Sequence, residues 1–345
     1  VNRSKRRPSI SDVARLAGVS IGTVSNVLNT TDKVKPATVD RVLQAIEQLG
    51  FVRNDAARQL KAGKSQTIGL IVPDISNPFF TELARGAEQL GESDGYSVLI
   101  GNTGHDAERE RGYFNLFEQQ RVGGIVVSPT EDVTEQVVQL RKRGTNAVLV
   151  DRKAESNICC SVSMDDFAGG KLAMEHLLEQ GHSEIIFVGG PADFQQVADR
   201  LAGAKSVVKA SKGRANLKHI KTAELTVLAG REVGQQISAE SRKNWPDAIF
   251  AANDLLAVGI LQAFAFQAKV RVPEDIALIG YDDIDFAETA IVPLSSVRQP
   301  ASLLGATAVE LLVDEVERGP AHKHRQITFQ PELIVRESSS KPASD

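Results

Sequence analysis

The sequence is poor in the features that would make a protein secreted, metal-bound or membrane-embedded. Its 345 residues include two cysteines, and these are neighbours, Cys159 and Cys160. A disulfide between adjacent residues is strained, and a single pair builds no framework of bridges. Small residues in or near a strand are the plainer account of both. Of six scattered histidines, only His322 and His324 have an i, i+2 spacing that puts two rings on one face of a strand. No third ligand stands near them in the sequence, so neither a metal nor any other cofactor is expected. No apolar run approaches the roughly 20 residues of a membrane helix, and no apolar core follows the basic N-terminus to make a signal peptide. A cytoplasmic protein with no membrane role is the expectation. No G-x-G-x-x-G follows the first apolar strand, where "VPDISNPFF" stands, and no Walker sequence occurs. Both absences argue against a nucleotide-dependent enzyme. The closing "SSSKPASD" lacks heptad leucines, so nothing there supports a tetramer.

At roughly 150 residues per domain the chain should hold two or three domains. Its net charge of −4 is unevenly spread: residues 1–64 carry 12 Lys/Arg against 5 Asp/Glu, and the rest 28 against 39. A basic head on an acidic body suggests that the head meets a polyanion.

Within that head, Gly18-Val19-Ser20-Ile21-Gly22 has the form of a serine-hydrolase nucleophile elbow. An elbow needs a buried strand before the serine. Here the preceding residues have helical spacing: Ser9 and Asp12 make a capping box, Ile10, Val13, Ala14 and Ala17 share a face, and Gly18 ends the turn. Ser20 then caps a second helix, Ile21 to Asn29, with Val24, Val27 and Leu28 inward. A third helix starts at Pro36, carries the stripe Val39, Val42, Leu43, Ile46 and Leu49, and stops at Gly50. This is a helix-turn-helix, whose second helix enters the DNA major groove N-terminus first. In that register Ile21, Gly22 and Asn26 face base edges, and Ser20, Thr23, Ser25 and Asn29 face phosphates. The sequence points to a DNA-binding protein, not an enzyme.

The stretches "SISDVARLAGVSIGTVSNVLN", "VKPATVDRVLQAIEQLGFVRNDAARQL" and "TIGLIVPDISNPFF" together resemble the lactose-repressor (LacI/GalR) family of bacterial transcription regulators, over about Ser9 to Arg336. The resemblance implies an N-terminal all-α helix-turn-helix head plus a hinge helix, then an α/β periplasmic-binding-protein-like body of two doubly wound parallel-sheet subdomains. The boundaries expected are 1–53 for the head, 54–65 for the hinge and linker, and 66–340 for the body. The body divides into an N-subdomain of about 66–163 and 297–325 and a C-subdomain of about 164–296 and 326–338. Residues 54–61 begin with an Asn cap, yet eight residues fall short of the roughly 12–15 of a helix stable alone in water. The family orders this hinge in the DNA minor groove, which assigns Asn54, Ala57, Arg58, Leu60 and Lys61 to DNA, with Leu60 as a wedge in the central base step. Arg53 departs from the proline that many members carry before the hinge asparagine.

From Thr67 onward, "TIGLIVP", "YSVLIGN", "GGIVVSP" and "NAVLVDR" are continuous apolar runs separated by helical stretches, and "EIIFVGG", "DAIFAAND" and "IALIGYDD" form a second series. Such runs are strands of parallel sheets covered on both faces, and ligands bind at their carboxyl ends. Asp74, Asp151, Asn253 and Asp282 stand at those ends as effector candidates. Asp254 and Asp283 are read as caps of following helices. The resemblance gives Asn253 and Asp282 to effector hydroxyls and Arg200 to the effector as well. Phe80 is the candidate aromatic platform. Leu225, where purine-binding relatives have an aromatic, argues against a flat base. Leu255 to Gln267 is apolar around most of a helix, so its outer face is expected to meet a second subunit, with a helix of the same chain as the competing cover. The expected protein is a homodimeric repressor on a palindromic operator, controlled by a sugar, polyol or related effector. A catabolite-control regulator using a protein co-repressor and a sugar receptor without DNA are the alternatives.

Overall fold

A computed structural model of the chain describes residues 8–51, 65–191, 194–268 and 270–340. The chain divides into two compact units, Val1–Ser65 and Gln66–Asp345. The hinge residues Asn54, Ala57, Arg58, Leu60 and Lys61, and Arg53 before them, lie outside the described residues.

The first unit is helical. Helix α1 (Ile10–Ala17) starts in a complete capping box: Ser9 N donates to Asp12 Oδ2 at 2.9 Å and Asp12 N to Ser9 Oγ at 3.3 Å. Gly18 closes it at φ 66°, in the left-handed region where a Cβ is costly. Two residues later Ser20 caps α2 (Ile21–Asn29) by accepting from Thr23 N at 3.1 Å, so Ser20 starts a helix and is not perched on an elbow. Helix α3 (Pro36–Leu49) begins at proline and ends at Gly50. Val13, Ala14, Ala17, Val24, Val27, Val42 and Ala45 form the core, with Ile10, Leu28, Val39, Ile46 and Leu49 packed around it. Leu43 departs from the expected stripe: it is 50% exposed, because the small core of three short helices closes on Val42 and Ile46 and leaves the next position outside.

The second unit is built on two sheets. The first contains β1 (Thr67–Val72), β2 (Ser97–Asn102), β3 (Gly124–Val127), β4 (Asn146–Val150), β5 (Cys160–Met164) and a late strand, Gln326–Phe329. The second contains β6 (Glu184–Val188), β7 (Asn216–Ile220), β8 (Ala248–Ala251), β9 (Ala277–Asp282), β10 (Ser295–Arg298) and a last strand, Glu332–Ile334. With the late strands as β11 and β12, the orders are β11-β5-β4-β3-β1-β2 and β12-β10-β9-β8-β6-β7. All pairings are parallel except β10 with β12. The crossings fall a few residues from the expected ones. Ser295–Arg298 pairs in the second sheet, and Gln326–Phe329 pairs with β5 in the first. The chain therefore leaves the second sheet after Arg298 and returns between Phe329 and Glu332.

Helices α4 (Pro78–Ser93), α5 (Ala107–Gln119) and α6 (Thr134–Lys142) follow β1, β2 and β3. Helices α7 (Asp166–Glu179), α8 (Gln195–Ala210), α9 (Val227–Ala239), α10 (Asp254–Ala263) and the one-turn α11 (Asp285–Glu288) belong with the second series, and α12 (Ala301–Arg318) returns to the first. No described helix is long and apolar enough to cross a membrane.

The apolar helix at 255–267 corrects an expectation. Along Leu255–Ala263 the outer face is covered by α9 of the same chain, the competing cover, while Ala265 and Phe266 beyond it are exposed, Phe266 by 75%. A Cβ on Gly230 would sit 2.1 Å from Leu256 O, and one on Gly259 would sit 2.1 Å from Val227 O, so two glycines bring the α9 and α10 backbones into contact. Leu255, on the remaining side, packs against the core of the first subdomain.

Candidate DNA and effector sites

On α2, Ser20, Ile21, Gly22 and Asn26 are exposed, and Thr23 and Ser25 are half-buried. Ile21 is 50% exposed in the first turn. The glycine beside it has no side chain, so this surface offers a base pair an apolar contact, close backbone approach and one amide, Asn26. Ser20 Oγ lies 2.9 Å from Thr23 Oγ1, which ties both hydroxyls to the helix N-terminus, where backbone N–H groups favour an anion. Asn29 closes the helix.

In the body, the carboxyl ends of the two sheets meet. Gln196 of α8 donates to the backbone oxygen of Asp151 at 2.8 Å and to its Oδ2 at 2.9 Å. His105, just past β2, stacks on Phe194, just before α8, with ring centroids 5.0 Å apart. Arg200, on the same face of α8 as Gln196, is buried. Its Nε donates to Asp166 Oδ1 at 2.8 Å and its Nη1 to Ala252 O at 2.7 Å, and Nη1 lies 3.7 Å from Asp282 Oδ1. Its guanidinium carbon sits 3.6 Å from the Tyr281 ring centroid. Asp282 also accepts from Gln299 Nε2 at 2.7 Å. Asp151 and Asp282 have φ of 59° and 102°, values side-chain-bearing residues seldom adopt. Strain of this kind collects at functional sites, where surrounding contacts hold it in place.

Several buried polar atoms here have no partner among the described residues: Thr103 Oγ1, Ser128 Oγ, Asp151 Oδ1, Thr222 Oγ1 and Gln299 Oε1. They stand just past β2, β3, β4, β7 and β10. A buried polar group left unpaired costs about 1–3 kcal/mol, and five such atoms stand one or two residues past strands of the two sheets.

The electrostatics of the cluster follow from burial. Asp151 is pushed up to about 8, chiefly by desolvation and then by repulsion from Asp166, with Arg200 pulling the other way. Burial also raises Asp282, to about 6, against the attraction of Arg200. Burial opposes the charge on Arg200, but Asp166, Tyr281 and Asp282 outweigh it and raise its pKa. Because Asp151 holds its proton above the ordinary 3.8, the native state binds more protons than the unfolded chain between about pH 4 and pH 8. This group's contribution therefore makes stability fall as pH rises through that window, by up to about 1.4 kcal/mol per pH unit. Asp151→Asn should remove it, so the urea-unfolding free energy of the variant should gain on wild type between about pH 5 and pH 7. A difference that stays flat would mean that Asp151 ionises normally.

Other expected residues are engaged elsewhere. Asp74 Oδ1 accepts from Ser76 N at 2.9 Å and Ser76 Oγ at 2.7 Å, a local turn. Asn253 is the N-cap of α10: its Oδ1 accepts from Leu256 N at 3.0 Å and its Nδ2 donates to Leu225 O at 3.2 Å. Asp254 and Asp283, read as caps, are not. Asp254 accepts from Ser296 Oγ at 2.7 Å and Ile284 N at 2.9 Å, while Asp283 pairs with Arg298 and Arg336 at 2.7 and 2.6 Å. Buried carboxylates with such partners serve the fold first. Phe80 packs edge-on to Phe79 within the first subdomain's core, and Leu225 packs on that of the second. Sequence reasoning missed Thr103, Ser128, Asp166, Gln196, Thr222 and Gln299. Gln196 was within reach, being i−4 from Arg200 on one helix. Thr222 and Gln299 follow strands too polar to be recognised.

A helix-turn-helix unit followed by a unit of two largely parallel sheets that meet at their carboxyl ends is the architecture of a DNA-binding regulator. Residues 9–54 match the model for bacterial regulatory proteins of the lacI family, and residues 174–339 match a periplasmic binding protein-like domain. The HTH-type transcriptional repressor PurR of Photobacterium profundum is 34% identical over 332 residues, which is 96% of this chain and 98% of that one. The chain belongs to the lacI family and is a DNA-binding transcriptional repressor. Among solved structures, the lac repressor dimer bound to operator and the anti-inducer ONPF superposes with a TM-score of 0.80 at 25% identity, covering 97% of this chain and 99% of that one. A LacI family regulator from Enterococcus faecium with bound ribose gives 0.71 at 28% identity over 79% of this chain and 98% of that one.

Proposed function

We propose that this repressor works in the cytoplasm as a homodimer on a palindromic operator, and that a small hydroxylated effector, a sugar, polyol or sugar derivative, sets its operator affinity from the cleft between the two sheets. The observation that carries the effector is the set of buried, unpartnered hydroxyl, amide and carboxyl atoms at the strand ends. A neutral ligand with several hydroxyls satisfies such atoms without adding charge beside the compensated Arg200 cluster, and ribose bound to a related regulator is consistent with it. A protein co-repressor would instead need exposed surface. The dimer is supported by the related operator complex and by edge strand β2, whose Leu99 and Ile100 are 45% and 44% exposed.

Binding that favours one arrangement of the subdomains shifts DNA affinity, and DNA must shift effector affinity by the same factor, typically about 1–3 kcal/mol. A thermal-shift screen of sugars, polyols and nucleosides tests this, since a ligand at 100 times its Kd adds about 2.7 kcal/mol to native stability. Operator affinity by fluorescence anisotropy, with and without the hit, completes it. A hit that leaves operator affinity untouched would separate the cleft from regulation.

On the head, Asn26 is proposed to read a base, as amides pair bidentately with adenine for about 1–3 kcal/mol of discrimination. Asn26→Ala should flatten the preference at one position of a randomised half-site while other positions keep theirs. An unchanged base profile would move Asn26 to a phosphate or to solvent.

A further inference from the structure

We propose that Cys160, His322 and His324 form a binding site for one divalent transition-metal ion of zinc-like softness. The two histidines had no third partner in the sequence, but the parallel pairing of β11 with β5 supplies one. Cys160 opens β5, and the histidines lie in the segment that leads from α12 into β11. Cys160 Sγ is 3.1 Å from His322 Nε2 and 3.8 Å from His324 Nδ1, and the three ligand atoms lie within 4.8 Å of one another. A tetrahedral zinc ion, with bonds of about 2.3 Å to sulfur and 2.0–2.1 Å to nitrogen, puts its sulfur and nitrogen ligands about 3.5 Å apart. The observed spacings bracket that value.

The surroundings favour ligation. Asp314 of α12 accepts from His322 Nδ1 at 2.9 Å, which leaves the Nε2 lone pair on the sulfur side, the carboxylate–histidine arrangement that orients metal ligands. The Arg325 backbone N–H donates to Cys160 Sγ at 3.3 Å and fixes the direction of the sulfur. The His322 side chain is 2% exposed and Cys160 is buried, while His324 is half-buried, so solvent reaches the site at His324. One thiolate and two imidazoles select zinc, cobalt or copper over magnesium and calcium, which take oxygen ligands. Arg141 Nη2 stands 3.1 Å from His324 Nε2. Ligation through Nδ1 places the imidazole proton on Nε2, so Arg141 gives up that contact and remains on Glu315, 2.6 Å away. The ion displaces the thiol proton to solvent. With three protein ligands, the fourth position falls to water and the ion is exchangeable.

The test uses untagged full-length protein stripped of metal and titrated with Co2+. One equivalent per chain should give the visible bands of four-coordinate cobalt and an ultraviolet thiolate-to-cobalt charge-transfer band, both lost on adding Zn2+. Cys160→Ser should abolish the charge-transfer band, His324→Gln should remove tight binding, and Asp314→Asn should weaken it about 10- to 100-fold. Melting of each variant without metal checks its fold. Should Cys160→Ser fail to fold, the half-buried His324 and the positioning Asp314 carry the test. No charge-transfer band in wild type, or a band that persists in Cys160→Ser or is indifferent to His324→Gln, would overturn the site and leave a hydrogen-bonded cluster.

Discussion

Replacing Arg200 with alanine is expected to destabilise the body by about 3–5 kcal/mol, the cost of breaking a buried ion pair and leaving its partner charge uncompensated. The geometry makes this the most exposed weakness of the unit. Arg200 holds Asp166 at 2.8 Å and the backbone oxygen of Ala252 at 2.7 Å, and it lies against Tyr281 and Asp282. Three carboxyls of the cluster, Asp151, Asp166 and Asp282, have raised pKa values even with the guanidinium present, and without it each is pushed further toward its protonated form. Arg200→Lys should recover only part of the loss, because an ammonium cannot place donors on Asp166 and Ala252 in one plane. Urea unfolding of the single variants and of Arg200→Ala with Asp166→Asn measures the coupling. If Arg200→Ala costs less than about 1 kcal/mol, the cluster is not a structural hub and Arg200 is free for the ligand.

The second large effect concerns Asp282. Asp282→Ala should cost the proposed effector about 1.5–3 kcal/mol, roughly 10- to 150-fold in affinity, the worth of a hydrogen bond to a charged group. It should also abolish the effector's influence on operator affinity. Operator affinity without effector should stay near wild type, since the residue lies buried at the end of β9. Fluorescence anisotropy on wild type and variant, with the hit from the ligand screen, reads both. A variant that still responds fully would make Asp282 a support for Gln299 and Arg200 alone.

Features decided within a few residues of chain were legible in the sequence. The capping box at Ser9, the left-handed Gly18, the Ser20 cap and the proline start of α3 are local hydrogen bonds and local dihedral preferences, so they could be read in order, and they excluded the serine elbow. Most strands of continuous apolar residues were legible for the same reason, since full burial on both faces leaves an unbroken run; edge strand β2 reads the same way although its Leu99 and Ile100 are exposed.

What spans the chain was not. Strand β10, "SSVR", is buried at Ser295 and Ser296 because their hydroxyls reach Arg336 O and Asp254, partners about 40 residues away, and no periodicity announces that. The cover on α10 was decided by Gly230 and Gly259, whose effect is close backbone approach and not hydrophobicity. Asp166, Arg200 and Asp282 become one electrostatic unit, and Cys160 meets two histidines more than 160 residues on, only through strand order. The sequence by itself determined the family, the head and the alternation of elements, because local propensity and apolar period are properties of short segments. Which polar residues meet, and so what the cleft and the Cys160 cluster can bind, was decided by the tertiary structure alone, because burial and pairing are properties of atoms brought together across the fold.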